Sequence, residues 1–499
     1  MNTATRTGRA AAVILIGILG AFDDRPSDAG EVRQEFLVMQ NPEEGSGNGA
    51  EPYRFGRSIA FDQGRLLVGD PLGLKENGGS WGRAVLFSSG LDPVILNGED
   101  VGPGDRTSCM SYDSGGACPR FGSAVDLHGL RAAVGEPWRE DPGDPGERPD
   151  LGRVSIIGLE DTEVIQHVIE PSDRDVSWGF GSTVLLREDV LLVGIAGFQS
   201  GIALRGGVEV FDTTNFASLG MLPRAKGSGP AGVFGLSMAA DAGSERVIVG
   251  SVPDPGSGDP GAAHIYAVST GGKTGPPRLD LLASLFPPAV PGGAFDDFDG
   301  FGSAVAIDGI HAAVSAPGRD GDGVVILYRE EAPGEWSMID MIEAPAVEDM
   351  SVIEFGDCLD LEEGILFVGA PGTSFNRGWT NTGAVFGIPI DGTEGCTRIY
   401  RASEARLERL GSDIEVEDGH LHASATGPSN GGGGRVLSFS VTGADVDGNG
   451  TVNVSDLLGV INGWGACSGS CLGDTNCDGR VDVTDLLAVI AEWHGLGPG

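Results

Sequence analysis

Lysine is almost missing from these 499 residues. Only Lys75, Lys226 and Lys273 occur, and arginine supplies the rest, which reads as a bias of the source genome and not as chemistry. Basic residues number 32 against 72 acidic ones, for a formal net charge of −40. So acidic a surface repels nucleic acid and anionic lipid and makes both poor partners, while it suits solubility and divalent cations. Catalytic motifs are scarce as well. No HExxH occurs, and the GxSxG match at Gly427–Gly431 sits in a glycine-rich loop without the strand–turn–helix of a nucleophile elbow. No phosphate-cradling cofactor loop is present, and the seven histidines are scattered, with His420 and His422 alternating on one expected strand.

Cysteine is sparse, with seven in the chain. Cys467, Cys471 and Cys477 cluster, but no histidine stands at zinc-ligand spacing beside them. Cys109 and Cys118 bracket a polar loop and form the expected disulfide, whereas Cys358 and Cys396 share a repeat without any pairing following from that. Long apolar runs are missing beyond Ala10–Phe22, which is too short to span a bilayer comfortably. Arg6 and Arg9 precede that run, so residues 1–22 read as a secretory signal peptide, with an uncleaved N-terminal anchor as the alternative. Either way the remainder is expected to be exported, to the cell surface, the periplasm or the medium.

Glycine is abundant: 84 residues, more than twice the ~7% average. With 29 prolines among short apolar runs, that implies many turns and many short strands. The stretch FGSAV occurs at Phe121–Val125 and again at Phe301–Val305, and the surrounding residues repeat with it. Copies start at Phe55, Phe121, Phe180, Phe234, Phe301 and Phe355, with a worn seventh at Leu410, and the starts are 54 to 67 residues apart. Each copy has a short alternating run, a polar turn, a second run ending in Val-Gly-x-Pro or a variant, then a third run after a variable loop and a fourth before the next Phe-Gly. The first two runs read as a β-hairpin. Four strands repeated seven times predict an all-β fold, a seven-bladed β-propeller of four-stranded blades. The run EFLVMQ (Glu35–Gln40) precedes the first copy, and the seventh copy has no fourth run after Val441. The N-terminal strand is therefore expected to complete blade seven and latch the ring.

Residues 31–442 resemble the FG-GAP repeat, the unit of the integrin α-subunit propeller, and Phe355-Gly356 with Gly369-Ala370-Pro371 carries the full signature. That resemblance implies loops displayed for adhesion, toward a protein or carbohydrate ligand. Integrin-type blades often hold calcium inside the first hairpin, but here those hairpins are short and poor in carboxylates. Acidic loops occur instead at Asp296–Gly300 and Arg319–Asp322, where solvated turns are the plainer expectation.

A second duplication fills residues 443–499. Asp445–Trp464 and Asp474–Trp493 align without a gap, and both carry EF-hand calcium-loop spacing. The first ligand set is Asp445, Asp447, Asn449, the carbonyl of Thr451, Asn453 and Asp456, with Gly450 at the turn. The second is Asp474, Asn476, Asp478, the carbonyl of Arg480, Asp482 and Asp485, with Gly479. Oxygen ligands crowded into twelve residues repel one another until a hard cation such as Ca²⁺ relieves them. A helix is expected after each loop, with Val454, Leu457, Leu458, Ile461 and Trp464 packing on Val483, Leu486, Leu487, Ile490 and Trp493. This pair resembles the type I dockerin domain, which likewise ends each loop in Asp. The resemblance implies two Ca²⁺ ions and docking onto a cohesin-like or other envelope protein. The residues just before the last ligand, often Ser-Thr in that family, are Val454-Ser455 and Val483-Thr484 here, and the Cys-bearing linker between the loops is also unusual.

The function expected from all this is a non-enzymatic exported binding or adhesion protein. The alternative is an extracellular polysaccharide-degrading enzyme or accessory subunit, a glycosyl hydrolase with an acidic site assembled from distant loops.

Overall fold

The structure is a computed structural model describing residues 31–33, 37–40, 55–73, 82–88, 91–98, 120–137, 151–160, 164–173, 179–196, 206–223, 233–241, 246–253, 260–269, 276–288, 295–296, 299–345, 350–375, 381–390, 397–401, 408–417, 419–427, 434–441, 443–444, 446, 452–466, 473–475 and 480–493. The expected signal segment and the cysteines other than Cys358 lie outside them. Cys358 is a free thiol.

Seven sheets form the blades, antiparallel and ordered along the chain from inner to outer strand except where two N-terminal strands join the rim. Blade one runs from Ile59–Asp62 to Val94–Asn97, and blade two from Ala124–His128 to Val164–Ile169. Blades three, four and five begin at Phe180–Leu186, Val233–Ala240 and Val305–Asp308. Blade six spans Leu359–Glu362 to Arg398–Tyr400, and blade seven takes three strands from Leu410–Glu417, His420–Ala425 and Arg435–Ser440. Its fourth strand is β2 (Leu37–Gln40), antiparallel to Arg435–Ser440. The ring therefore closes with a strand from the other end of the chain, as the orphan EFLVMQ run implied. Inner strands touch in cyclic order, the seventh meeting the first. One strand is additional: β1 (Glu31–Arg33) pairs in parallel with Arg398–Tyr400 and gives blade six a fifth strand.

The Phe-Gly pair is an inter-blade joint. Phe55, Phe121, Phe180, Phe234, Phe301, Phe355 and Leu410 are all buried in the blade interfaces. The glycine after each has positive φ, from 85° at Gly56 to 93° at Gly356, where a Cβ is disfavoured. At Gly122 a Cβ would also lie 2.1 Å from the Arg83 carbonyl oxygen of the preceding blade, so side-chain absence permits the blades to meet. The phenylalanine backbone is itself a bridge: Phe121, Phe180 and Phe301 pair in parallel with Gly82, Gly152 and Gly261 of the preceding blade. The outer strand stays at the rim.

Two helices follow the ring, α1 (Val454–Asn462) and α2 (Val483–Glu492). A short ribbon, Gly465–Ala466 against Arg480–Val481, joins their neighbourhoods. Their shared core is Ala444, Val446, Val460, Val481 and Val489, with Leu457 and Leu486 partly buried against it. This corrects the expected packing. Of the apolar residues named for the two faces, Val454, Leu458, Ile461, Trp464, Val483, Leu487 and Ile490 are exposed, between 43% and 56%. Helical geometry explains it: Val460 and Leu457 point roughly a quarter-turn or more away from the Val454–Leu458–Ile461 stripe, so one core takes only one side of a wide apolar face. Among the described residues no helix is long and apolar enough to cross a membrane.

Candidate functional site

Inner strands of a ring diverge too much to share a backbone ladder, so their side chains bridge the seams. Three residues after the Phe of each Phe-Gly pair, Thr183, Ser237 and Cys358 each donate to the carbonyl of the next blade's Phe-Gly or Leu-Gly glycine: Gly235, Gly302 and Gly411, at 2.7, 3.0 and 3.1 Å. Carboxylates do the complementary task and accept from the neighbouring strand's N–H. Asp126 takes the Leu186 N–H, Asp360 the Val416 N–H at 2.7 Å, and Asp413 the Ile59 N–H at 2.8 Å. The last of these spans the closure between blades seven and one. At the hairpin ends Asp62 and Asp241 accept from the N–H groups of Gly129 and Gly309.

Asp62, Asp126, Asp241 and Asp360 also line a cavity of about 540 Å³ at the channel's hairpin end. Ten carboxylates face it or edge it, including Asp126, Asp308, Asp360 and Glu415, against the two guanidinium groups of Arg187 and Arg246. Burial holds four acids of the inner strands, Asp126, Asp360, Asp413 and Glu415, protonated to higher pH than usual. Burial pushes Asp360 up to about 6 and Asp413 up to about 7, in both cases against the backbone N–H groups that favour the charged form. Glu415 is raised further by burial and then by the charges of Asp360, Asp126 and Asp413. Asp126 is raised by burial, with Arg187 opposing at 3.3 Å.

The seam between blades seven and one is unusually polar. Glu415 and Glu417 pair in register with His422 and His420 on the adjacent strand. His422 is buried, stacks on Phe61 of blade one at 4.4 Å between ring centroids, and bonds Ser438 through Nδ1. Burial, then His420, pulls it down to about 3, so it is neutral. On the opposite, long-loop end, buried ion pairs brace two blades: Asp70 with Arg83 at 2.9 Å, and Glu136 with Arg153. Of the two acidic loops, Asp299 is held by Arg319 at 2.9 Å and also accepts the Asp296 N–H, while the Arg319 guanidinium lies 4.6 Å over Phe295. Asp299 is thus already neutralised by a cation of the chain itself, consistent with a structural turn.

In the C-terminal pair, Asp445, Asp447, Asn449, Thr451, Asn476 and Asp478 lie outside the described residues. The rest are placed in matching ways. Asn453 and Asp482 are the N-caps of α1 and α2 and accept from the N–H groups of Ser455 and Thr484. Asp456 and Asp485 are fully buried and accept the N–H of Asn453 and Asp482, each at 2.8 Å. The capping box is thereby closed with an aspartate at both helix starts. Asp485 additionally accepts from the Thr475 N–H and hydroxyl, next to Asp474. Its neighbour Asp482 is pulled down, first by the Thr484 backbone N–H and then by its hydroxyl. Arg480 is exposed and pairs with Ala466 in the short ribbon.

No family model and no curated protein matches this chain. Among solved structures it is similar to one described as the structure of U3-55K, at 13% identity and a TM-score of 0.37, covering 66% of this chain and 80% of that one. It is also similar to a putative 6-phosphogluconolactonase from Bacteroides fragilis, at 11% identity and a TM-score of 0.40, covering 76% and 91%. At such scores the fold assignment rests on the sheet order and ring closure above, not on these neighbours.

Proposed function

We propose that this chain is an exported binding protein: a propeller that displays loops to a protein or carbohydrate ligand, and a C-terminal pair that binds two Ca²⁺ ions and clips the molecule to a protein partner. The observation that carries the clip is the duplicated geometry at the two helix starts. In each copy an N-cap oxygen and a buried aspartate stand at the ninth and twelfth positions of a loop whose other ligand positions are oxygen-bearing residues or a backbone carbonyl. The chemistry fits a hard cation, since the described ligand positions are carboxylate, amide and carbonyl oxygens. Ca²⁺ would offset the repulsion among those carboxylates, and the chain's own caps keep the last carboxylate of each loop aimed inward. The exposed stripes Val454–Leu458–Ile461 and Val483–Leu487–Ile490 then supply the apolar face for the partner.

The test uses the full chain as bait against envelope and secreted fractions, with calcium and with chelator. A partner held with calcium and lost both in chelator and in the Leu458→Asp, Leu487→Asp double variant supports the clip. A partner indifferent to both removes it.

The cavity favours a second reading, an extracellular enzyme that cleaves polysaccharide with two of the channel carboxylates. Against it, Asp126, Asp360 and Asp413 already accept backbone N–H groups across the seams. Polysaccharide hydrolysis lost in Glu415→Gln would establish that reading.

A further inference from the structure

Blade seven is completed as a four-stranded sheet by a strand from the other end of the chain, and carboxylates of the inner layer latch both of its sides. Asp360 of blade six accepts the Val416 N–H, Asp413 accepts the Ile59 N–H of blade one, and Glu415 stands between them on the same inner strand. We propose that this cluster is a pH-responsive clasp, in which shared protonation of Asp360, Asp413 and Glu415 tightens ring closure and its ionisation loosens blade seven and the β2 strand that completes it.

The neighbours of these groups set the sign. Asp413 meets Arg57 and Asp357; Asp360 meets Asp308 and Arg187; Glu415 meets Asp126, Asp360, Asp413 and Arg187. Across the sheet Glu415 faces His422, and Glu417 faces His420; His422 is neutral and adds no positive charge. The Cys358 thiol, flanked by Asp357, Asp360 and Asp413, is driven up and stays neutral, by burial first. Asp126 has His128 and Arg187 nearby, and the cavity wall adds Asp62, Glu188, Asp189, Asp241, Glu362 and the single further cation Arg246. Taken together, carboxylates therefore outnumber cations around the clasp, most of all at Glu415 and along the cavity wall. A protonated acid keeps a carbonyl oxygen to accept the same N–H and gains an O–H to donate to a neighbouring carboxylate, so protonation relieves repulsion without breaking the latch.

The folded ring binds these protons more tightly than the unfolded chain. Raised carboxylate values mean that this stabilisation is complete only below the ordinary aspartate value of 3.8, falls as pH rises toward about 6 for Asp360 and about 7 for Asp413, and levels once each folded value is passed. This runs opposite to ordinary acid unfolding.

The experiment is thermal unfolding of the full chain in chelator from pH 5.5 to 8.5, for the natural sequence and for Asp413→Asn and Glu415→Gln. The natural chain should lose Tm across that range while each variant flattens the fall. A Tm that stays level or rises, or variants that keep the full slope, overturns the proposal. Should either variant fail to fold, the natural chain alone decides: unfolding at pH 6.5, followed in two buffers of different ionisation heat, should release protons, and no release or net uptake contradicts the clasp. After correction for base catalysis, the Ile59 and Val416 amides should exchange on the order of tenfold faster at pH 8 than at pH 5.5, the size of a one-unit shift.

Discussion

The ring and the C-terminal pair solve the problem of being small repeats in opposite ways. Each blade buries its joint phenylalanine against the next blade and spends little on local capping, so stability comes from partners distant in sequence. The pair does the reverse. It buries five residues in its shared core, holds its helix starts with side chains two or three residues away, and leaves seven large apolar side chains in water. A repeat that closes on itself needs no ligand to be complete, whereas a pair with a thin core and a wide exposed face has folding energy to gain from an ion and a partner.

Removing residues 31–40 should break that comparison most severely. Blade seven would lose its fourth strand, and the ring should be destabilised by on the order of 5 kcal/mol, as read from denaturant unfolding, with the C-terminal helices still present by circular dichroism. Phe301→Ala comes next. It empties a fully buried joint and should cost about 3–5 kcal/mol, against a small effect from the equally large but exposed Leu487→Ala. Arg83→Ala should follow at about 3 kcal/mol because it strands Asp70 in a buried site, while Asp70→Asn, Arg83→Met together should recover much of that loss. Smallest is Thr484→Ala, which removes one of the two groups held by half-buried Asp482. It should leave the ring's unfolding transition unmoved and weaken only the helix start, checked by amide exchange in α2.

Much of the ring was legible because seven copies allow one reading to be checked against six others. The Phe-Gly joint, the strand order and the closing N-terminal strand all show in the repeat phase. The parallel β1 strand did not, since three residues carry no period. Nothing in the repeat shows what the polar residues of the inner strands hold, yet Ser237, Thr183, Asp360 and Asp413 bond to neighbouring blades. A signal for the buried ion pairs was present but unread: Gly-Asp-Pro and Gly-Glu-Pro end the second strand in the two copies whose third strand opens Gly-Arg and pairs within the blade. In copy seven Arg435 also follows a glycine, but its acid is Glu408, from the loop before the inner strand, which no local pattern supplies. The helices of the C-terminal pair were legible from their apolar period after each loop. Which side of them faces the core was not, because the apolar stripe is wider than the core it could fill.

The most direct measurement is a calorimetric titration of the chelator-stripped full chain with Ca²⁺, repeated on Asp456→Asn and Asp485→Asn. Two ions bound per chain, falling to one in each variant with the ring's unfolding unchanged, is the predicted result. Absence of binding at millimolar Ca²⁺, or binding that both variants leave intact, would contradict the account.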